Sequence, residues 1–221
     1  MTAPACHLPE PPTPAHKSTP AWRLLLTLVV AGAAAGWLIV SVYNATLPAI
    51  ERHAAEQVNE AVRQVLKAPA RWDTLYLVDG ALTPKRPASA TAESPMAFVG
   101  YDASGKRIGV AITAAEPGFQ ELVTLMIGFD PATGTLTGYD VLDQKETPGL
   151  GDRIESDTDF TRQFAGRVAP LVGVKRAPAS PNDVQTITGA TISSRAVVRI
   201  INDAVAKWRP LLQAYDRGGK Q

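Results

Sequence analysis

A run of about 20 uncharged, mostly apolar residues, Leu24 to Tyr43 (LLLTLVVAGAAAGWLIVSVY), has the length a helix needs to cross the hydrocarbon core of a bilayer. Trp22 and Tyr43 stand at its two ends, where amphipathic rings favour the membrane interface. The segment is apolar on every face, which argues against a helix half-buried on a soluble domain. Its apolar core is longer than that of a usual signal peptide, and no clean Ala-x-Ala site follows, so it reads as a retained anchor rather than a cleaved leader. Orientation is nearly tied by charge: Lys17 and Arg23 flank one side, Arg52 and Arg63 the other, with Arg23 at the membrane edge.

The anchor divides the chain. Residues 1–21 are rich in Pro, Ala, Thr and His, lack apolar periodicity and read as a disordered tail. The transmembrane helix is expected over 22–44. After Pro48, residues Ile50, Ala54, Val58, Ala61, Val62, Val65 and Leu66 share one helical stripe, so 45–68 is expected to be an amphipathic connecting helix. From Met96 the period changes. Met96 to Tyr101 and Arg107 to Thr113 flank Asp102-Ala103-Ser104-Gly105. Leu122 to Phe129 and Leu136 to Leu142 flank Asp130-Pro131-Ala132-Thr133-Gly134. Each pair of β-formers around an Asp/Gly turn predicts a hairpin, and loops this short make an antiparallel sheet. The similar turns, GYDASGK and GFDPATG, read as shared turn chemistry rather than duplication.

A short helix is expected around Asp159 to Gly166, then a Pro/Ala/Ser linker over Ala177 to Asn182. After Ser193, the residues Val197, Ile200, Ile201, Ala204, Val205 and Trp208 mark one face of a helix. Pro210 should limit it, which leaves 213–221 as a flexible tail. The fold class is therefore α+β: an antiparallel sheet of hairpins with flanking helices, preceded by one N-terminal transmembrane helix, with the globular domain over 69–212.

Scarce residues narrow the chemistry. The formal net charge is +1 and the charges are scattered, which removes nucleic acid as a partner class. The lone cysteine is Cys6, and the histidines are His7, His16 and His53. Beyond His53 no Ser-His-Asp or Cys-His site can be built. Thiolate-held iron–sulfur clusters and His-ligated haem are excluded there as well, and no metal site is expected. Redox chemistry in that region needs an organic cofactor.

Two segments carry candidate chemistry. Thr186-Ile187-Thr188-Gly189-Ala190-Thr191-Ile192-Ser193-Ser194 leads into the last helix. It reads either as an N-cap built on Ser193 or Ser194, or as a phosphate site where free amides meet the Thr191 hydroxyl. Glu146-Thr147-Pro148-Gly149-Leu150-Gly151-Asp152 is a bend, either an ordinary surface turn or one that passes its backbone close to a flat ring.

Together, behind a single anchor, Glu-Thr-Pro-Gly-Leu-Gly-Asp and the later Thr-Gly-Ala-Thr-Ile-Ser-Ser resemble the G subunit of the Rnf ion-translocating electron-transport complex. The FMN-binding domain of the C subunit of the sodium-pumping NADH:quinone reductase is similar. The resemblance implies FMN joined to Thr191 through a phosphoester, attached by a flavin transferase from FAD with magnesium. Thr188, Gly189, Ala190, Ile192 and Ser193 would surround the attachment point. Glu146, Thr147, Gly149 and Leu150 would lie by the flavin. It further implies an electron carrier without catalytic residues of its own, in a complex linking ferredoxin and NAD to Na⁺ or H⁺ movement. Other membrane and peripheral subunits would be its partners, and the C-terminal domain would lie periplasmic to a bacterial inner membrane. Gln185 stands where many members carry Asp, with Asp183 two positions earlier. The competing class is a membrane-tethered scaffold or binding subunit without a redox cofactor.

Overall fold

The computed structural model describes residues 20–87 and 95–218. The tail expected over 1–21 lies almost wholly outside the described residues. The chain forms two compact units, Met1–Arg52 and His53–Gln221.

The first helix, α1, runs Ala21–Val65 without a break at Pro48. The expected transmembrane and connecting helices are thus one element. Pro48 lacks the N–H that would close one helical bond, but a single missing bond leaves the neighbouring turns intact. Within the first unit the apolar side chains of α1 are unburied, Trp37, Ile39 and Val29 among them, as a segment that meets lipid rather than protein would be.

The second unit is built on six strands: β1 (Arg71–Val78), β2 (Ala81–Thr83), β3 (Met96–Tyr101), β4 (Arg107–Pro117), β5 (Leu122–Phe129) and β6 (Leu136–Asp143). They form one antiparallel sheet in the order β2-β1-β3-β4-β5-β6. The two expected hairpins, β3–β4 and β5–β6, are four adjacent strands of it, with β6 at one edge. Strands β1 and β2 are not legible in the sequence: Arg71, Asp73 and Thr74 dilute the β1 pattern, and only Leu75 on it is fully buried.

Period-two alternation sends successive residues to opposite faces. Val99, Val110, Ile112, Leu125, Ile127 and Phe129 bury on one face. Phe98, Ala111 and Met126, their neighbours in sequence, bury on the other with Ala61, Val62, Val65 and Leu66 from the end of α1. The expected stripe therefore holds from Val58 onward, while Ile50 is exposed.

Two four-residue helices follow, α2 (Arg153–Ser156) and α3 (Thr158–Thr161), in place of the single one expected slightly later. Asp157 ends the first and caps the second, its carboxylate accepting from the amides of Asp159 and Phe160. Strands β7 (Val172–Val174) and β8 (Asp183–Gln185) pair in parallel, joined through the expected Pro/Ala/Ser linker. This small parallel pair stands apart from the antiparallel sheet.

The last helix, α4 (Thr191–Gly218), covers the first face of the sheet. It begins before Ser193 and continues past Pro210, through positions expected to be a tail. Leu212 is 1% exposed, and its burial outweighs the one hydrogen bond that Pro210 forgoes.

Candidate functional site

The two segments singled out in the sequence meet. A groove of about 410 Å³ lies between the Glu146–Gly151 bend and the first turn of α4. Glu146, Thr147, Leu150 and Gly151 line it from the bend. Gly189, Ala190, Thr191, Ile192 and Ser193 line it from the helix start. Thr188 and Gly149 are exposed and stand off the groove lining. Phe119, from the β4–β5 turn, completes the wall; nothing in the sequence points to it beyond an aromatic placed after Pro117-Gly118 in a hairpin loop.

The bend is tight because the Thr147 carbonyl accepts from the amides of both Leu150 (3.1 Å) and Gly151 (2.9 Å). Gly151 is required by space: a Cβ there would stand 2.7 Å from Glu146 Cβ and 3.0 Å from Ser193 Oγ. Gly189 is required by conformation. Its φ is +87°, and a Cβ would sit 3.2 Å from Leu150 Cδ2.

The helix start is not capped by serine. Ser194 N–H donates to Ala190 O (2.9 Å), so Ala190 occupies the N-cap position. Ser194 Oγ donates to Ala190 O (2.8 Å) and accepts from Ile187 N–H (3.0 Å). Ser193 Oγ donates to Glu146 Oε2 (2.6 Å). With both hydroxyls engaged inside the fold, the amides of Thr191, Ile192 and Ser193 find no acceptor among the described residues. No acidic side chain occupies this first turn. Three free amides at the positive end of a long helix are a phosphate site in form.

Glu146 ties the site together and is only 5% exposed. Its Oε1 accepts from the amides of Phe119 (2.8 Å) and Gln120 (3.2 Å), and its Oε2 from Ser193. Among the described residues it has no ion-pair partner. Three donors satisfy the buried carboxylate in place of a cation. Gln120 Nε2 adds a bond to Thr147 Oγ1 (2.8 Å).

Thr191 is half-buried and lines the groove. A flavin mononucleotide suits these residues: free amides and a hydroxyl for its phosphate end, and apolar side chains for its ring. Asp183 Oδ2 accepts from the amides of Ala179 (3.0 Å) and Ser180 (2.9 Å), which holds this carboxylate in the turn before β8.

Residues 118–206, which include every residue lining the groove, match the family of FMN-binding domains. The solved structure of Shewanella oneidensis NqrC superimposes with a TM-score of 0.60 at 16% identity, over 74% of this chain and 99% of that one, so the two share a fold. The chain thus carries an FMN-binding domain on a fold shared with NqrC.

Over 186 residues the chain is 31% identical to the G subunit of the ion-translocating oxidoreductase complex of Methanosarcina acetivorans, covering 83% of this chain and 92% of that protein. It is 30% identical over 100 residues to the G subunit of the proton-translocating ferredoxin:NAD(+) oxidoreductase complex of Clostridium ljungdahlii, across 45% of this chain and 53% of that one. The chain belongs to the family of G subunits of ion-translocating oxidoreductase complexes. It is an electron-transport subunit with an FMN-binding domain, and the apolar part of α1 fits a single-pass membrane subunit.

Proposed function

We propose that FMN is held covalently through a phosphoester at Thr191 and that the chain carries electrons within a complex linking ferredoxin and NAD to ion movement. The observation that carries this reading is the hydroxyl selection at the start of α4. Ser193 and Ser194 have their hydroxyls bonded within the protein and buried, whereas Thr191 presents its own at the groove beside unpaired amides. Thr188 is exposed but lies off the groove.

Attachment from FAD forms the bond between Thr191 Oγ1 and the FMN phosphorus. The FAD pyrophosphate bond breaks, AMP leaves with the bridging oxygen, and the threonine proton is released. A flavin transferase is the maturation partner. Once bound, the flavin supplies one- or two-electron chemistry. The protein's part is to fix the phosphate on the amides of residues 191–193 and hold the bend against the ring. The anchor in α1 tethers the domain to the membrane, on its periplasmic side in this reading, where a covalent cofactor cannot be lost by diffusion. The other subunits of the complex are its electron partners, a reading supported by the relative from the ferredoxin:NAD(+) oxidoreductase complex of Clostridium ljungdahlii.

The test is co-expression with a flavin transferase, followed by ultraviolet-excited fluorescence on a denaturing gel. The wild-type band should fluoresce and the Thr191→Val band should be dark, with unchanged melting because Thr191 lies outside the buried core. Fluorescence in both lanes moves the attachment elsewhere. Dark bands in both, with a transferase active on a control substrate, remove covalent FMN.

A further inference from the structure

Phe119 is 59% exposed, yet its backbone N–H is fixed on the buried Glu146 carboxylate. Its N–H and that of Gln120 both donate to Glu146 Oε1, at 2.8 and 3.2 Å. The Gln120 side chain reaches Thr147 Oγ1, and Gly118 N–H closes the turn onto Glu121 O at 2.7 Å. The turn is thus fastened to the bend while its phenyl ring is held out in water. Single exposed apolar residues are ordinary, but a cluster marks a binding surface. Here Leu150 (47% exposed) and Ile192 (56% exposed) line the same groove from two other elements.

The groove has two chemically distinct ends. The free amides and the Thr191 hydroxyl suit a phosphate, and the three apolar side chains suit a flat, mostly apolar ring. We propose that Phe119 is a positioning residue for the isoalloxazine ring: its phenyl packs on the ring, with Leu150 and Ile192 along the rim. This rests on the flavin reading above and adds a residue to it. Aromatic pairs of this kind contribute beyond their burial alone. Glu146 couples the two ends, since one carboxylate holds both the turn bearing Phe119 and Ser193 beside the attachment point. Packing by Phe119 keeps water from the ring and so disfavours its more negatively charged reduced form.

The experiment uses the full chain in detergent, flavinylated by co-expression. An indole at van der Waals distance quenches flavin emission by electron transfer, whereas phenyl does not. Phe119→Trp should therefore lose most of the native flavin emission and regain it in denaturant, with a gel band as bright as wild type. Phe119→Ala should keep the same bright band, admit iodide to the ring with a steeper quenching slope, and shift the midpoint potential upward. Native emission unchanged in Phe119→Trp, with iodide quenching unchanged in Phe119→Ala, would overturn the proposal. A dark wild-type band sinks the covalent reading and this one with it, whereas bright bands without quenching sink only the role of Phe119.

Discussion

The two ends of α4 are built in opposite ways. The C-terminal end is tied to the sheet and its turns by the contacts of a few residues. Trp208 and Leu212 are buried at 2% and 1% exposure. Arg209 donates to Pro131 O (3.1 Å) and Ala132 O (2.8 Å), Gln213 donates to Pro131 O (2.9 Å), and Arg107 pairs with Asp216 (2.6 Å). At the N-terminal end the first amides are unpaired, Ile192 is exposed, and serine hydroxyls turn inward rather than capping. A helix anchored by apolar contact at one end can leave the other end's donors free for a ligand. Buried contacts and free donors thus occupy different turns of one helix, and substitutions should separate their effects.

The largest effect on stability belongs to the anchored end. Trp208→Ala removes a buried indole from the core beneath the sheet and should cost about 3–5 kcal/mol. Thermal melting of the chain in detergent reads this loss. The fraction that remains folded should still accept flavin, because Trp208 lies away from the groove lining. If the folded fraction accepted no flavin, the division between the two ends would fail.

Glu146→Ala comes next and acts at the open end. It strands the buried Ser193 hydroxyl and the part-buried amides of Phe119 and Gln120. Buried donors left without acceptors cost about 1–3 kcal/mol together with the lost order of the site. Flavin incorporation per folded chain should fall more steeply than stability. Glu146→Gln keeps an acceptor for the two amides and should recover most of the incorporation. Equal incorporation in wild type and Glu146→Ala, measured by flavin absorbance per protein, would reduce the carboxylate to a packing element.

The same division explains what is legible in the chain. The hairpins β3–β4 and β5–β6 can be read because runs of β-forming residues, Met96 to Tyr101, Arg107 to Thr113, Leu122 to Phe129 and Leu136 to Leu142, flank Asp/Gly turns. Strand β1 cannot, since only Leu75 on it is fully buried and Arg71, Asp73 and Thr74 interrupt its apolar pattern. The end of α4 is misjudged from sequence because Pro210 is a local signal, while the burial of Leu212 that overrides it is a tertiary one. At the site, Thr191 and Glu146 are found by motif, for local physics alone allows serine caps and a surface turn. Phe119 carries no periodicity, and its place depends on a carboxylate 27 positions away, a contact that no local pattern encodes.

The smallest effect sharpens the comparison through salt. Asp216→Asn breaks the pair with Arg107, whose side chains are 29% and 34% exposed for Arg and Asp respectively. Partly solvated pairs contribute about 0.5–1 kcal/mol, and added salt screens them. The Asp216 hydrogen bond raises the Arg107 pKa above its ordinary value, against the opposing pull of burial. A base whose folded pKa is raised gives stability that is complete below its unfolded pKa and lost only as pH climbs through the folded one. For a guanidinium that window is far into alkali, so the Arg107 contribution should not vary across neutral pH. Melting of Asp216→Asn should therefore converge on wild type as ionic strength rises. The deficit of Glu146→Ala should persist, because a carboxylate buried against three neutral donors is shielded from mobile ions. If both deficits faded with salt, Glu146 would be as wet as Asp216, and the open end of α4 would lack the dry polar floor that the groove requires.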